Sequence, residues 1–267
     1  MAITTLDGAI AGMQAPREII KAVTPTLIAG KPQSLFYLGG IPSAGSAPTP
    51  GIGGEVLTSV TGQIPFTNPV SGNTYLARLQ AQATVGGSLL LCDRLWQNSG
   101  IDVTLTSEQT FTGAAQIPAR DMNGTNAGNG VYAAVEVSTA TGTGTPTLTL
   151  KYTDQDGNPG ATATNLFSTA NTSSIGSFYP IGLAAGGTGI QKAQSLTLSS
   201  TWTSGTIHVV LYRVIARLEL QAQLPNAIDA ITSGFVKIHD NSVPFLVFIP
   251  NTTTATNIHG HCIWTQG

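Results

Sequence analysis

VYAAVEVSTATGTGTPTLTLKYTDQDGNPGATA, from Val131 to Ala163, holds two alternating patterns separated by turn chemistry. Val131, Val135 and Val137 alternate with polar or small residues, and Leu148, Leu150 and Tyr152 repeat the pattern. A period of two is that of a strand with one buried face. The Gly/Thr tract between the patterns and the Asp156-Gly157 pair after them supply turns, because glycine takes positive φ at no steric cost. This stretch predicts antiparallel β-structure.

The same signal continues outward. Val103 and Leu105 precede it. Leu196 and Leu198, then Ile207, Val209, Leu211 and the run to Leu220 follow, as do Phe235–Ile238, Phe245–Ile249 and Ile258–Trp264. Strands about ten residues apart, without helical patterns between them, indicate an all-β antiparallel sandwich of jelly-roll type rather than an α/β fold. In RLQAQATVGGSLLLCDRLWQN the text fits a strand, a glycine kink and a second strand, or a helical start. No fixed-period repeat is present.

The N-terminal part reads differently. Asp7 is a possible helix cap, and Pro16 suits the first position of another helix. Ile19, Ile20, Val23 and Leu27 recur near helical spacing, and Pro25 ends the run. Residues 30–54 are interrupted by Gly39-Gly40, Pro42, Pro48, Pro50, Gly51 and Gly53-Gly54. The expected organisation is an N-terminal arm with a short helix over residues 1–54 and a β-sandwich over 55–267. So long a connection makes sense if it lies on a neighbouring subunit.

Of 267 residues only 9% are charged, against a usual share of about 25%, while 41% are hydrophobic and 37 are threonine. A disordered chain would need the opposite balance. The formal net charge of −2, with 11 Lys+Arg, gives no footprint for wrapping nucleic acid. The N-terminus has no basic segment followed by an apolar one, and Val243–Pro250 is far shorter than a membrane span. Cys92 and Cys262 make no disulfide framework and read as buried thiols.

Four groups of residues invite chemistry. Asp154-Gln-Asp156-Gly-Asn158 has the opening order of a calcium loop but lacks the later acidic ligand, so it reads as a hairpin turn. His259, His261 and Cys262 are zinc-ligand types, with His239 and Cys92 available to complete a set. Alternation, however, places the two histidines on one strand face and Cys262 on the other. Gly182–Gly189 is glycine-rich but is followed by a strand pattern rather than by Gly-Lys-Ser/Thr and a helix, so it reads as a tight connection. Acidic residues are scattered; nothing in the pattern keeps Glu136 and Asp154 from meeting across strands, but such pairs arise by chance. No G-x-S-x-G elbow occurs. The sequence therefore predicts no catalytic, cofactor or metal site. Trp96, Trp202 and Trp264, with Tyr179 and Tyr212, read as core or interface aromatics, or as a sugar platform.

The segments LTLKYTDQDGNPGATATNLF and FYPIGLAAGGTGIQKAQSLTLSSTWTSGTIHVVLYRVIARLEL resemble virion structural proteins of tailed bacteriophages, of the capsid decoration, cement or minor capsid type. The elements concerned are Tyr152-Thr153, Asp156-Gly157, Phe178-Tyr179-Pro180, Gly186–Gly189, Ala193–Ser199 and Gly205-Thr206-Ile207, and the resemblance spans residues 131–267. It implies a non-enzymatic role on the particle: a homo-oligomer, expected to be trimeric, bound to the major capsid protein, made in the bacterial cytoplasm and resident in the virion. It also leaves open a tail or head-fibre component that binds host glycans through Trp202 or Trp264.

Overall fold

The computed structural model describes residues 3–267. It is an antiparallel all-β protein with one short helix, Leu6–Ala11, capped by the Thr5 hydroxyl, which accepts from the Gly8 amide at 3.1 Å. The expected sandwich is present, extended by a third sheet.

The terminal sheet runs in the order Asn226–Asp229, Thr74–Ala83, Thr256–Gln266, Arg17–Val23 and Gly40–Ile41, with Lys237–Ile238 also on the Thr74–Ala83 edge. The central sheet runs Phe178–Pro180, Val131–Thr139, Thr206–Leu220, Gly87–Gln97, Pro244–Pro250 and Gln33–Ser34. The outer sheet comprises Pro159–Thr164, Leu148–Asp154, Ile190–Leu198 and Gln109–Thr110. The Gly87–Gln97 strand therefore does not pair with Thr74–Ala83. The turn at Val85-Gly86 carries the chain from one sheet into another.

The central sheet closes on itself. Gln33 bridges Ser177, the Ser34 amide donates to Gly176 O at 2.7 Å, and the Phe178 amide donates to Pro32 O at 3.1 Å. The two ends of the sheet thus meet in a small barrel, and closure removes the exposed edges that an open sheet would present.

Alternation then assigns three cores. Cys92, Ala134, Phe178, Val210, Tyr212, Phe245 and Val247 fill the barrel together with Phe36. On the barrel's outer wall, Val135, Val137, Val209 and Leu211 pack against Leu148, Leu150, Tyr152 and Trp202 of the outer layer. Further along the same wall, Leu89, Leu91, Leu218 and Phe248 pack against Ile19, Val23, Leu76, Leu79 and Trp264 of the terminal sheet. The long Thr206–Leu220 strand serves all three cores: alternate side chains face the barrel and the outer layer, and a bulge between Val214 and Ala216 turns Ala216, Leu218 and Leu220 toward the terminal sheet.

Residues 17–54 correct the sequence reading twice. Arg17–Val23 is a strand, not a helix, and pairs in full register with Thr256–Cys262. Ile19, Lys21 and Val23 point inward at period two, and sheet pairing overrides the weak helical spacing. The segment expected to be an arm on a neighbour lies on its own domain. Leu35, Phe36 and Leu38 are buried, and the Gly45 amide donates to Phe36 O at 2.8 Å. Gly51 and Ser99 exchange hydrogen bonds, and Gly54, at φ +68°, lies so close to the Trp96 ring that a Cβ there would overlap it. Buried Lys21 fastens this segment by donating to Leu38 O at 2.9 Å and Pro42 O at 2.6 Å, and burial lowers its pKa to about 8.

Candidate functional site

Of the 24 charged side chains, seven are buried: Lys21, Asp93, Arg94, Arg120, Asp121, Glu136 and Arg213. The adjacent pair Asp93-Arg94 organises most of them. Strand alternation sends the two side chains to opposite faces. Arg94 enters the barrel, where Nη2 lies 2.7 Å from Glu136 Oε2, Nε donates to Gln97 Oε1 at 2.8 Å, and the guanidinium covers the Phe36 ring at 4.6 Å. The Tyr37 phenol, its oxygen buried beside this pair, is pushed well above its ordinary pKa by burial and then by the Glu136 charge.

Asp93 leaves by the other face, between the two outer cores. Its carboxylate accepts from Ser242 Oγ at 2.9 Å and the Val243 amide at 2.7 Å, and Arg120 Nε lies 3.3 Å away. Arg213 is its cross-strand neighbour. Burial pushes the Asp93 carboxyl up against the opposing pull of both arginines.

The barrel's polar file continues to His208, opposite Glu136. His208 Nδ1 lies 2.8 Å from Asn98 O and so donates to it, which leaves Nε2 to accept from Ser138 Oγ at 2.6 Å. Burial lowers the His208 pKa. This Ser–His pair escaped the sequence reading because its members are 70 residues apart, and no local motif announces a cross-strand contact. It has the donor order of an activated nucleophile. The histidine, however, is oriented by a backbone carbonyl rather than a carboxylate, and the serine shares the inward face with Glu136.

The sequence candidates fall in separate places. The Asp154 carboxylate is fully engaged in its turn: Oδ1 accepts from the Asp156 and Asn158 amides, each at 2.9 Å, and Oδ2 from Asn158 Nδ2 at 3.1 Å. Glu136 is buried in the barrel and Asp154 sits on this exposed turn, so the two do not meet. His259 and His261 lie on the solvent face of the terminal sheet, and Cys262 is buried on the opposite face. Cys92 lies in the barrel, and His239 Nε2 contacts Asp121 O at 3.1 Å. Burial pushes both thiols up. In the glycine-rich loop, the Thr188 and Gly189 amides both donate to Gln155 Oε1, and the chain enters a strand at Ile190. Trp96, Trp202 and Trp264 are all core residues, with no ring face open to a sugar.

The surface carries the remaining signal. Leu6 and Ile231, 70% and 84% exposed, line one groove between the helix and the 230–235 turn, with Ile3, Ala9 and Phe235 beside them. Ile10 and Met13 stand exposed on the same N-terminal segment. A cluster of large apolar side chains in water marks an interaction surface more readily than a scattered one. Among the described residues no helix is long and apolar enough to cross a membrane.

No protein-family model and no curated protein matches this chain. Among solved structures, it has a faint similarity to the infectious bursal disease virus VP2 subviral particle. The identity is 10%, over 96% of this chain and 82% of that one, with a TM-score of 0.19, and so slight a likeness carries no argument.

Proposed function

We propose that this chain is a structural protein of a bacteriophage particle that decorates and stabilises the icosahedral capsid. Its partners on this reading are the major capsid protein and further copies of itself, arranged as a trimer, and its place is the virion. The sequence resemblance over residues 131–267 supports the virion assignment. The observation that carries the mode of action is the apolar groove between the Leu6–Ala11 helix and the 230–235 turn, in a chain of which only 9% of residues are charged. Contacts of this kind lose little to salt or to repulsion between crowded copies. Neither role calls for an enzyme. The glycan-binding alternative loses the tryptophan platform it was built on, since Trp202 and Trp264 lie in the cores.

Electron cryomicroscopy and mass spectrometry of purified particles test this reading. Ordered density on the capsid exterior, in a fixed ratio to the major capsid protein, is the expected result. Copies confined to the tail, or none in the particle, would overturn it.

A further inference from the structure

A cavity of about 400 Å³ opens where the barrel closes, beside the Gln33–Ser177 bridge. Its buried polar walls are Gln33, Thr141, Ser173 and Tyr179, all more than nine-tenths buried. Their hydrogen bonds leave specific groups unspent. Tyr179 OH accepts from the Ala170 amide at 3.1 Å and pairs with Ser173 Oγ at 2.7 Å. One of those two hydroxyls donates to the other, so one O–H proton remains. Thr141 Oγ1 accepts from the Ser173 amide at 2.8 Å and keeps its own proton. Gln33 Nε2 donates to Ile175 O, which leaves Gln33 Oε1 as an acceptor.

Two donors and an acceptor therefore converge on one cavity. Of the side chains lining it, Lys31 alone carries charge at neutral pH, and its ammonium already donates to Ser168 O at 2.6 Å. Ile28 and Pro32 supply apolar wall. The volume falls in the usual range for small-molecule sites, and such sites pair an apolar lining with a few placed polar groups.

We infer that this cavity binds a neutral saccharide unit, a mono- or disaccharide without acidic groups, whose hydroxyls both donate and accept and whose C–H face meets Ile28 and Pro32. The inference stands apart from the virion reading and needs no tryptophan platform.

Saturation-transfer NMR on the full chain tests it, with glucose, galactose, N-acetylglucosamine, lactose and maltose as neutral probes and glucuronate as the anionic one. Transfer to at least one neutral sugar is expected, with weak affinity of roughly 1 mM. Thr172→Trp, at an exposed position on the lining, should block the cavity without touching the core and weaken binding at least about tenfold. Thr141→Val should weaken it by removing one donor. No transfer from any neutral probe at about 10 mM, undiminished transfer in Thr172→Trp, or a preference for glucuronate would each overturn the inference.

Discussion

Arg94 Nη2 lies 2.7 Å from Glu136 Oε2 inside the closed barrel, and neither side chain has any exposure to solvent. Charges taken that far from water survive only as a pair. Glu136→Gln leaves the guanidinium uncompensated and should cost about 3–5 kcal/mol in chemical denaturation. The double change Arg94→Met with Glu136→Leu removes both charges and should recover most of that loss. If the double variant is as unstable as the single one, packing rather than charge pairing holds the barrel interior.

The N-terminal residues divide at Pro16. Removing residues 1–12 takes away the helix and leaves every long strand, so a cooperative thermal transition should persist. Removing residues 1–54 deletes the Arg17–Val23 strand from within the terminal sheet and takes Leu35, Phe36 and Leu38 from the cores. That chain should fail to fold. A milder check is Ile19→Ala, which empties a fully buried site and should cost about 2–5 kcal/mol.

His239 gives the protein an acid sensitivity with a defined direction. Burial, followed by the nearby Arg213 and Lys237 charges, lowers its pKa to about 4 from the ordinary 6.5. Between those values the unfolded chain takes up a proton that the folded chain refuses. The histidine's contribution is thus present above pH 6.5 and is lost as the pH falls toward 4. The loss should be about 1–2 kcal/mol once discounted for partial exposure of the ring. Melting curves of His239→Gln against the parent should diverge across this window. Parallel curves would show that the ring titrates normally.

The apolar groove should matter to assembly and not to folding. Leu6→Asp and Ile231→Asp change side chains already in water, so thermal stability should move by no more than about 0.5 kcal/mol. Binding to capsids, followed by co-sedimentation, should fall sharply for both. Unchanged co-sedimentation would place the contact elsewhere on the surface.

The Asp154–Asn158 turn should ignore calcium. Both carboxylate oxygens of Asp154 are already occupied by donors from the turn itself, and Gly157 holds the positive φ of +82° that the turn requires. Millimolar calcium should leave the melting temperature where it is; a rise would show that the turn reorganises around an ion.

Local pattern was enough to give the all-β class, the strands from Val131 to Tyr152, the Asp156-Gly157 hairpin and the opposite facing of His261 and Cys262. Each follows from period-two alternation or from turn chemistry, which act over a few residues. Arg17–Val23 is ambiguous in sequence because Ile19, Ile20, Val23 and Leu27 fit a helix as well as a strand, and only the partner strand at Thr256–Cys262 decides between them. Barrel closure depends on Gln33 meeting Ser177, the ionic interior on Arg94 meeting Glu136, and the Ser138–His208 pair on strands far apart in sequence. The hydroxyl-walled cavity likewise exists only where those distant segments converge. Alternation tells which side chains share a face of one strand. Which strand lies opposite is settled by the free energy of packing the whole chain, and that is where the buried charges and the cavity were decided.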